Sequence, residues 1–259
     1  MALAGSQRPG YSLICGSVPM KPEVSAVITF HREGLLAHKS LLSLLRCKLA
    51  AAEHGISVEV VATLDHADAE TTRVITWHHH TGLIDKVLEL ECGDLGVSRN
   101  KAIESVAGHW VLICDGDDYL SADFVIRCLE TAAGNENSII HPELIVTFDA
   151  EQGIWWQTGS DAYGFDPDCM LVTNPWNACS FAAKSIYLQT PYTLSRPGES
   201  GFGFEDWHWN CQTLSLGHPH LIAERTVHYV RKKKVGSLNQ AHASNRALIA
   251  PTQLFAPRP

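Results

Sequence analysis

The sequence predicts an α/β protein whose central sheet is mostly parallel and is flanked by helices. Two observations lead to this fold class. In the first half of the chain, short runs of valine, isoleucine and leucine alternate with stretches that have helical spacing. The connections between these segments are short, which is typical of right-handed βαβ units. The alternation is lost in the second half, where we expect a mixed arrangement of strands and helices.

The first half contains four apolar runs of strand length. The predicted strands cover residues 24–30, 58–64, 86–90 and 110–114. Leucines at helical spacing predict a helix over 35–54. Two further helices are expected over 97–107 and 121–133, the second because Ser121 is a good N-cap residue.

The second half is expected to complete one domain. Strands are predicted over residues 143–148, 154–157 and 223–230, and a helix is predicted from 205 to 216. The boundaries that we expect are a loose lead-in over 1–22, a single domain over 23–240 with halves 23–133 and 134–240, and a tail over 241–259. The lead-in is rich in glycine, proline and serine.

Composition and charge exclude several classes of protein. Apolar residues make up 45% and charged residues 19% of the 259 residues, so we expect a folded core and not disorder. A net charge of −8 argues against a nucleic-acid partner. The eight cysteines form no CxxC pair, so a structural zinc site is not expected. Neither a secretory signature nor a bilayer-length apolar span is present, and we therefore expect a cytoplasmic protein with reduced thiols.

Polar side chains follow three of the predicted strands at the point where each strand ends. Thr29 and His31 lie at the end of the first strand, and Asp65 follows the second. Residues 115–118, here called the acidic cluster, follow the fourth strand. Because parallel strands end at the same edge of a sheet, these residues are predicted to converge on one cleft.

The acidic cluster (DGDD) places three carboxylates in four positions. Such carboxylates repel one another unless they share a cation, and their oxygens suit Mg²⁺ or Mn²⁺, which proteins commonly hold together with substrate phosphates. Gly116 allows a tight turn and a close approach of the backbone to a ligand. The sequence therefore predicts a divalent cation at this edge; the alternative is a solvated turn that caps a helix.

Four segments of the chain resemble family 2 glycosyltransferases of the GT-A fold. They are VSAVITFHRE (24–33), GVSRNKAIESVAGHWVLICDGDDYLSADF (96–124), GFGFEDWHWN (201–210) and HYVRKKKVGSLN (228–239). The second segment is the most specific, because its SRN helix, apolar strand and DxD cluster stand at the expected distances. The resemblance implies a GT-A-like, Rossmann-type nucleotide-binding sheet, with a nucleotide-sugar half over 23–133 and an acceptor half over 134–240.

The resemblance also implies roles for individual residues in a metal-dependent, inverting sugar transfer. Asp117, helped by Asp115, would coordinate Mn²⁺ or Mg²⁺ at the donor diphosphate, and Asp118 would orient the donor sugar. Asp206 would be the general base, supported by Glu205. The other residues implied in nucleotide or donor binding are Thr29, His31, Glu33, Asp65, Arg99 and Asn100.

The implied partners follow from the same resemblance. The donor would be a UDP-, dTDP- or GDP-sugar, and the acceptor a carbohydrate or a lipid-linked glycan, as in polysaccharide biosynthesis. Displacement of a nucleoside diphosphate builds charge on the leaving phosphate, which a metal ion and nearby cations stabilise. A single in-line attack assisted by one base inverts the anomeric carbon. The oligomeric state is left open.

The chain departs from the family pattern at three places. His31 stands where relatives carry asparagine, and LDHADAET (64–71) replaces a run resembling DDGSTD, so the nucleotide base is not determined. Lys234 occupies the position of a histidine that many relatives have about three residues before the serine of a GS pair. As a cation, Lys234 is assigned to the diphosphate. His228 is either a replacement metal ligand or a histidine of the core.

Aromatic and basic segments each allow more than one interpretation. The tryptophans are core residues by default, but Trp176, Trp207 and Trp209 are assigned to the acceptor, because aromatic faces suit the C–H surfaces of sugars. The basic run 231–234 is a solvated edge, a diphosphate contact or a peripheral contact with anionic lipid at the inner face of a membrane.

Two alternative functions are kept. A sugar-nucleotide pyrophosphorylase shares the sheet topology, but it would have a Gly-rich basic loop after the first strand, where this chain offers only Gly34. A degenerate glycosyltransferase fold would serve as a glycan-binding or scaffold module. Asp115, Asp117 and Asp206 count against that second alternative, and Lys234 counts in its favour.

Overall fold

Four parallel strands form the first part of the sheet. The computed structural model describes residues 21–233 and 238–256. The strands are β1 (Val24–Phe30), β2 (Val58–Asp65), β3 (Lys86–Leu90) and β4 (Trp110–Asp115). β1 pairs in parallel with β2 and with β4, and β2 pairs in parallel with β3. All four predicted strands are confirmed.

Four helices connect or follow these strands. They are α1 (Leu36–Glu53), α2 (Ala69–His80), α3 (Leu95–Ser105) and α4 (Phe124–Ala132). The sequence predicted all of them except α2. Its buried face has only two aliphatic side chains, Val74 and Ile75, so the apolar periodicity is weak. The helix begins at a good cap, because the Asp68 carboxylate accepts a 2.8 Å hydrogen bond from the backbone N–H of Thr71.

The strands of the second half extend the sheet in mixed orientation. They are β5 (Tyr119–Leu120), β6 (Ile139–Asp149), β7 (Gly153–Trp156), β8 (Ser180–Ala183) and β9 (His220–Lys232). β6 pairs in parallel with β9 and antiparallel with β7 and β8. β8 also pairs antiparallel with β4 and so joins the two parts. Over the described residues the order is β3-β2-β1-β4-β8-β6-β9-β5, with β7 beside β6. The mixed second part is confirmed, although β5 and β8 were not predicted.

The remaining helices belong to the second half. They are α5 (Lys184–Gln189), α6 (Pro197–Ser200), α7 (Glu205–Ser215) and α8 (Leu238–Ser244), with short 3-10 turns at Pro167–Leu171 and Gln253–Phe255. α7 confirms the helix predicted from residue 205. Within residues 21–233 and 238–256, no helix combines the length and the apolar character that crossing a membrane requires.

The main core surrounds the parallel strands. All seven residues of β1 are buried, as are the first five of β4, which explains their continuous apolar sequences. Leu41 of α1 and Ile103 of α3 pack in the same cluster as these strands. A smaller cluster in the second half contains Met170, Trp176 and Cys211. The cysteines that the structure describes are all unpaired thiols.

The register of the sheet aligns several strand ends at one edge. Thr29 of β1 lies opposite Thr63 of β2 and opposite Asp115 of β4. β5 pairs with β9 so that Leu120 lies opposite His228. The last strand therefore reaches the same edge as the acidic cluster.

Gly116 packs the turn after β4 against the end of β1. A Cβ atom on Gly116 would stand 2.5 Å from Cδ1 of Phe30 and 2.6 Å from the carbonyl oxygen of Thr29. Since the second of these neighbours is backbone, a side chain at this position forces the turn away from β1. The position of the acidic cluster thus depends on a glycine.

We expect Gly116→Ala to lower the free energy of unfolding by about 1–3 kcal/mol, because the added methyl group overpacks this contact. Urea unfolding of the full chain measures the change. Gly198→Ala is the control, since a Cβ on Gly198 meets no atom within 4 Å. Equal midpoints for Gly116→Ala and the unchanged chain would show that the turn does not pack tightly against β1.

Candidate active site

Each carboxylate of the acidic cluster is paired with a cationic or potentially cationic side chain of the protein. The pairs are Asp115 Oδ1 with Arg99 Nη2 at 2.7 Å, Asp117 Oδ2 with Lys233 Nζ at 2.8 Å, and Asp118 Oδ2 with His228 Nε2 at 3.1 Å. The partners come from α3, from β9 and from the residue that follows β9. The mutual repulsion of the three aspartates is therefore reduced within the protein itself.

The Arg99 guanidinium links the acidic cluster to α7. Its side chain is 0% exposed, and Nη1 donates to Glu205 Oε1 at 2.9 Å while Nη2 donates to Asp115. Burial lowers the pKa of Arg99, but the charges of Asp115 and Glu205 outweigh burial and raise it. A fully buried guanidinium cannot touch a nucleotide, so the donor contact expected for Arg99 is wrong. Its place in the structure is that of a positioning residue.

Asn100 also has a structural place in the molecule. Its Nδ2 donates to the carbonyl oxygen of Tyr192 at 2.8 Å, and its Oδ1 accepts from the N–H of Tyr192 at 3.0 Å. Both ends of the amide are thus used to hold the segment after α5. The expected donor contact of Asn100 stays a prediction.

Asp118 is held inside the protein as well. It is buried, its Oδ1 accepts from the N–H of Arg231 at 2.8 Å, and its Oδ2 pairs with His228. Burial lowers the pKa of His228, but the hydrogen bond and charge of Asp118 outweigh this effect and raise it. Asp118 therefore joins the acidic cluster to β9, and this replaces the expected role of orienting the donor sugar. His228 is a buried partner of Asp118.

Among the described residues, Lys233 is the cation nearest to Asp117. Besides its 2.8 Å contact with Asp117, its Nζ lies 3.9 Å from Glu33 Oε1. Burial and the charge of Asp118 raise the pKa of Asp117 to about 6, although Lys233 acts in the opposite direction. Sequence reasoning assigned this neighbourhood to Lys234, which lies outside the described residues. Counting back from the GS pair favoured Lys234, and no pattern in the run of lysines distinguished Lys233.

The residues predicted for the nucleotide meet beside the acidic cluster. Nδ1 of His31 lies 2.6 Å from the carbonyl oxygen of Asp65, and the N–H of His31 donates to Glu33 Oε2 at 2.6 Å. Oδ1 of Asp65 accepts from the N–H groups of Cys92 and Gly93. Thr29 is buried near the end of β1. Contacts between the ends of β1 and β2 thus join these positions.

Glu205 and Asp206 begin α7 on the other side of Arg99. Glu205 is buried, and Asp206 Oδ2 accepts from Asn174 Nδ2 at 3.2 Å. Burial, followed by the charge of Glu205, raises the pKa of Asp206 to about 7, while Arg99 acts in the opposite direction. A carboxylate with such a pKa is suited to exchange a proton near neutral pH.

The structure corrects two of the three tryptophans that were assigned to the acceptor. Trp176 is 1% exposed and stacks on His220 with ring centroids 4.0 Å apart. Trp209 is 2% exposed and stacks on Tyr187. Buried indole faces cannot receive a sugar, because the neighbouring rings already cover them. Trp207 is partly buried, and its Nε1 donates to the carbonyl oxygen of Met170.

The exposed tryptophans lie elsewhere. Trp155 is 45% and Trp156 is 70% exposed on β7. Trp156 lines an open, mainly polar groove of about 710 Å³, which also contains Gln157 and Arg225. Of β9, residues 221, 222, 224 and 225 line the groove, whereas the acidic cluster contacts His228 and Arg231 further along the strand. The groove is therefore separate from the candidate active site.

The basic run 231–234 is not a free surface patch in its described part. Nη1 of Arg231 pairs with Asp149 at 2.9 Å, and its guanidinium lies 4.6 Å from the ring centroid of Phe148. Lys233 pairs with Asp117. Arg231 and Lys233 are thus paired within the chain, and the expected lipid contact stays a prediction.

The strand order, and the edge at which these carboxylates meet, define a protein of the GT-A glycosyltransferase fold. The family model described as glycosyl transferase family 2 matches residues 25–193. The chain belongs to this family, as its four sequence segments implied. No curated protein matches the chain by sequence.

Solved structures of similar fold include proteins from two organisms. TarS 1–349 of S. aureus in complex with UDP-GlcNAc has 15% sequence identity and a TM-score of 0.64, over 83% of this chain and 60% of that chain. The mannosyltransferase PcManGT of Pyrobaculum calidifontis, in complex with GDP-Man and Mn²⁺, has 12% identity and a TM-score of 0.58, over 84% and 59%. The chain thus spans about three fifths of the solved chains that it resembles.

We expect Arg99→Met to lower the free energy of unfolding by about 3–5 kcal/mol, because it leaves Glu205 buried without its partner. Urea unfolding at pH 7 measures the loss. The control is Arg127→Met, which removes ion pairs on the surface of α4 and should change stability far less.

A second replacement tests the cause of that loss. Adding Glu205→Gln to Arg99→Met removes the unpaired buried charge and should recover part of the stability. If the double variant is no more stable than Arg99→Met, the loss does not come from the unpaired carboxylate.

Proposed function

We propose that this chain transfers a sugar from a nucleotide-diphosphate sugar to a hydroxyl acceptor, with inversion at the anomeric carbon. The observation that carries the proposal is the buried link from Asp115 through Arg99 to Glu205. It holds the donor edge of the sheet and the start of α7 as one unit. Membership of glycosyl transferase family 2 supports the same reaction class.

Asp206 is the proposed general base. In the reaction, the acceptor oxygen bonds to C1 of the sugar, and the bond from C1 to the diphosphate oxygen breaks with its electron pair on that oxygen. The hydroxyl proton passes to the Asp206 carboxylate, whose raised pKa suits this transfer. Glu205 is the positioning residue, since it is bound to Arg99 next to the base. One displacement inverts the configuration.

The donor is proposed to lie along the ends of β1, β2 and β4. Thr29, His31, Glu33 and Asp65 are the residues proposed for the nucleotide, and Asp115 for the ribose or the metal. The solved structures of similar fold hold UDP-GlcNAc in one case and GDP-Man in another, which supports a nucleotide-sugar donor. A UDP-, dTDP- or GDP-sugar fits the proposal equally well.

A divalent cation, Mn²⁺ or Mg²⁺, is proposed at Asp117. The carboxylate of Asp117 is a suitable ligand, because such ions are held by one or two carboxylates together with substrate phosphates. Asp117 Oδ2 pairs with the ammonium of Lys233. None of the residues that the structure describes donates a hydrogen bond to Oδ1 of Asp117. When bound, the ion would stabilise negative charge on the departing diphosphate. PcManGT, which has a similar fold, was solved with Mn²⁺.

The acceptor is proposed to be a glycan or a lipid-linked glycan that approaches from the side of α7. Of the three tryptophans assigned to the acceptor, Trp207 keeps partial exposure and follows Asp206 directly in the sequence. It therefore remains a candidate for an acceptor contact. Trp176 and Trp209 do not.

A second candidate function is a glycan-binding or scaffold module that has lost catalysis. The observation in its favour is that all three aspartates of the acidic cluster are already paired with side chains of the chain. Metal-dependent release of nucleoside diphosphate from UDP-, dTDP- or GDP-sugars separates the two functions. An enzyme releases it, and a pure binding module does not.

We expect Asp206→Asn to reduce sugar transfer by about 100-fold or more, because the amide cannot accept the acceptor proton. In the unchanged chain, activity should fall as the pH drops below about 7, where Asp206 becomes protonated. Release of nucleoside diphosphate, measured from pH 5 to 9, gives both results.

Glu136→Gln is the control for the base, because it removes an exposed carboxylate on the loop before β6. Donor binding should survive in both variants. Near-normal turnover of Asp206→Asn would contradict the assignment of the base. So would a pH–activity profile of that variant in which the decline below pH 7 is unchanged.

We expect Asp117→Ala to abolish the additional rise in melting temperature that Mn²⁺ gives, compared with EDTA, in the presence of UDP or GDP, since bound ligand stabilises the folded state by mass action. A thermal-shift titration measures this. Asp161→Asn, which changes a carboxylate at the polar groove, is the control. A full shift in Asp117→Ala would remove Asp117 from the donor site.

A further inference from the structure

The ammonium of Lys233 lies among carboxylates at the proposed donor site. Its Nζ is 2.8 Å from Asp117 Oδ2 and 3.9 Å from Glu33 Oε1. Glu33 follows β1, and Asp117 follows β4, which is paired with β1. The Lys233 side chain is 25% exposed, so its charge borders the cleft and is not sealed in the core. A positive charge of the chain itself therefore stands beside the carboxylate assigned to the metal.

The other two carboxylates of the acidic cluster have partners that are buried in the protein. Asp115 is bound to Arg99, and Asp118 uses one oxygen for His228 and the other for the backbone of Arg231. Over residues 21–233 and 238–256, no group of three histidine, cysteine, aspartate or glutamate side chains is arranged to hold a metal. Asp117 is thus the one member of the acidic cluster whose partner is a flexible lysine.

We propose that Lys233 is a cation built into the donor site, which neutralises the donor diphosphate when metal is absent and competes with a divalent cation for Asp117. Lysine suits this role, because its ammonium is a point charge on a flexible four-carbon stem and a common phosphate ligand. A small rotation of the stem takes the charge from a carboxylate to a neighbouring phosphate. The diphosphate part rests on the proposed transfer function, and the competition rests only on the divalent cation proposed at Asp117.

The test uses isothermal titration of the full chain with UDP, with GDP and with inorganic pyrophosphate, each in EDTA and in Mn²⁺. Lys233→Met removes the charge and keeps much of the length of the side chain, and Lys233→Arg keeps the charge. Lys232→Met is the matched control, since Lys232 makes no ion pair with any described residue. Circular dichroism checks that each variant is folded.

In EDTA, we expect Lys233→Met to weaken binding of the best of these probes by about tenfold or more, while Lys233→Arg and Lys232→Met stay close to the unchanged chain. In Mn²⁺ the loss in Lys233→Met should be smaller, because the metal supplies the missing charge. Equal affinities of Lys233→Met and the unchanged chain in EDTA would overturn the diphosphate role of Lys233. So would an unchanged chain that binds the probes only with metal.

A titration with Mn²⁺ alone tests the competition without any nucleotide. Lys233→Met should bind Mn²⁺ about tenfold more tightly than the unchanged chain, because Asp117 then lacks its ammonium partner. An unchanged or weaker Mn²⁺ affinity overturns the competition. If no probe binds to the unchanged chain under either condition, the proposed function fails, and the Mn²⁺ titration still decides the competition between Lys233 and the metal.

Discussion

The buried guanidinium of Arg99 is the interaction on which the candidate active site depends. A buried charge lowers stability unless oppositely charged partners are close to it. Arg99 has two such partners, Asp115 at 2.7 Å and Glu205 at 2.9 Å. One partner ends a strand of the parallel sheet, and the other begins α7. The need to pair both carboxylates fixes the start of α7 against the sheet. The position of Asp206, the next residue, follows from that constraint.

Charge pairing also explains why residues distant in the chain must fold together before the site exists. The acidic cluster is held by Arg99, His228 and Lys233, whose positions span most of the described chain. The protonation and the side-chain orientation of a short motif such as DGDD are determined by the residues that surround it in the fold. The raised pKa values of Asp117 and Asp206 follow from burial and from neighbouring carboxylates, and nearby cations only partly offset them.

The parallel half of the fold could be predicted from the sequence, because strands buried on both faces are continuous apolar runs and their ends align. α2 and β8 could not, since α2 has a weak apolar face and β8 has only four residues. Local patterns also identified the carboxylates of the site. They did not identify their partners. Tertiary packing turns Arg99 inward, covers Trp209 with Tyr187 and brings Lys233 to Asp117. The spacing of residues along the chain does not indicate such contacts.

The position of β8 limits how the two halves of the chain can be expressed separately. It pairs antiparallel with β4 on one side and with β6 on the other, so residues 180–183 fill the middle of the sheet. A fragment that stops at residue 133 would leave β4, with its five buried residues, as an open edge. Such edges pair with other chains and aggregate. The half over residues 23–133 should therefore be expressed with the segment that contains β8, and its folding must wait for strands that lie far apart in the chain.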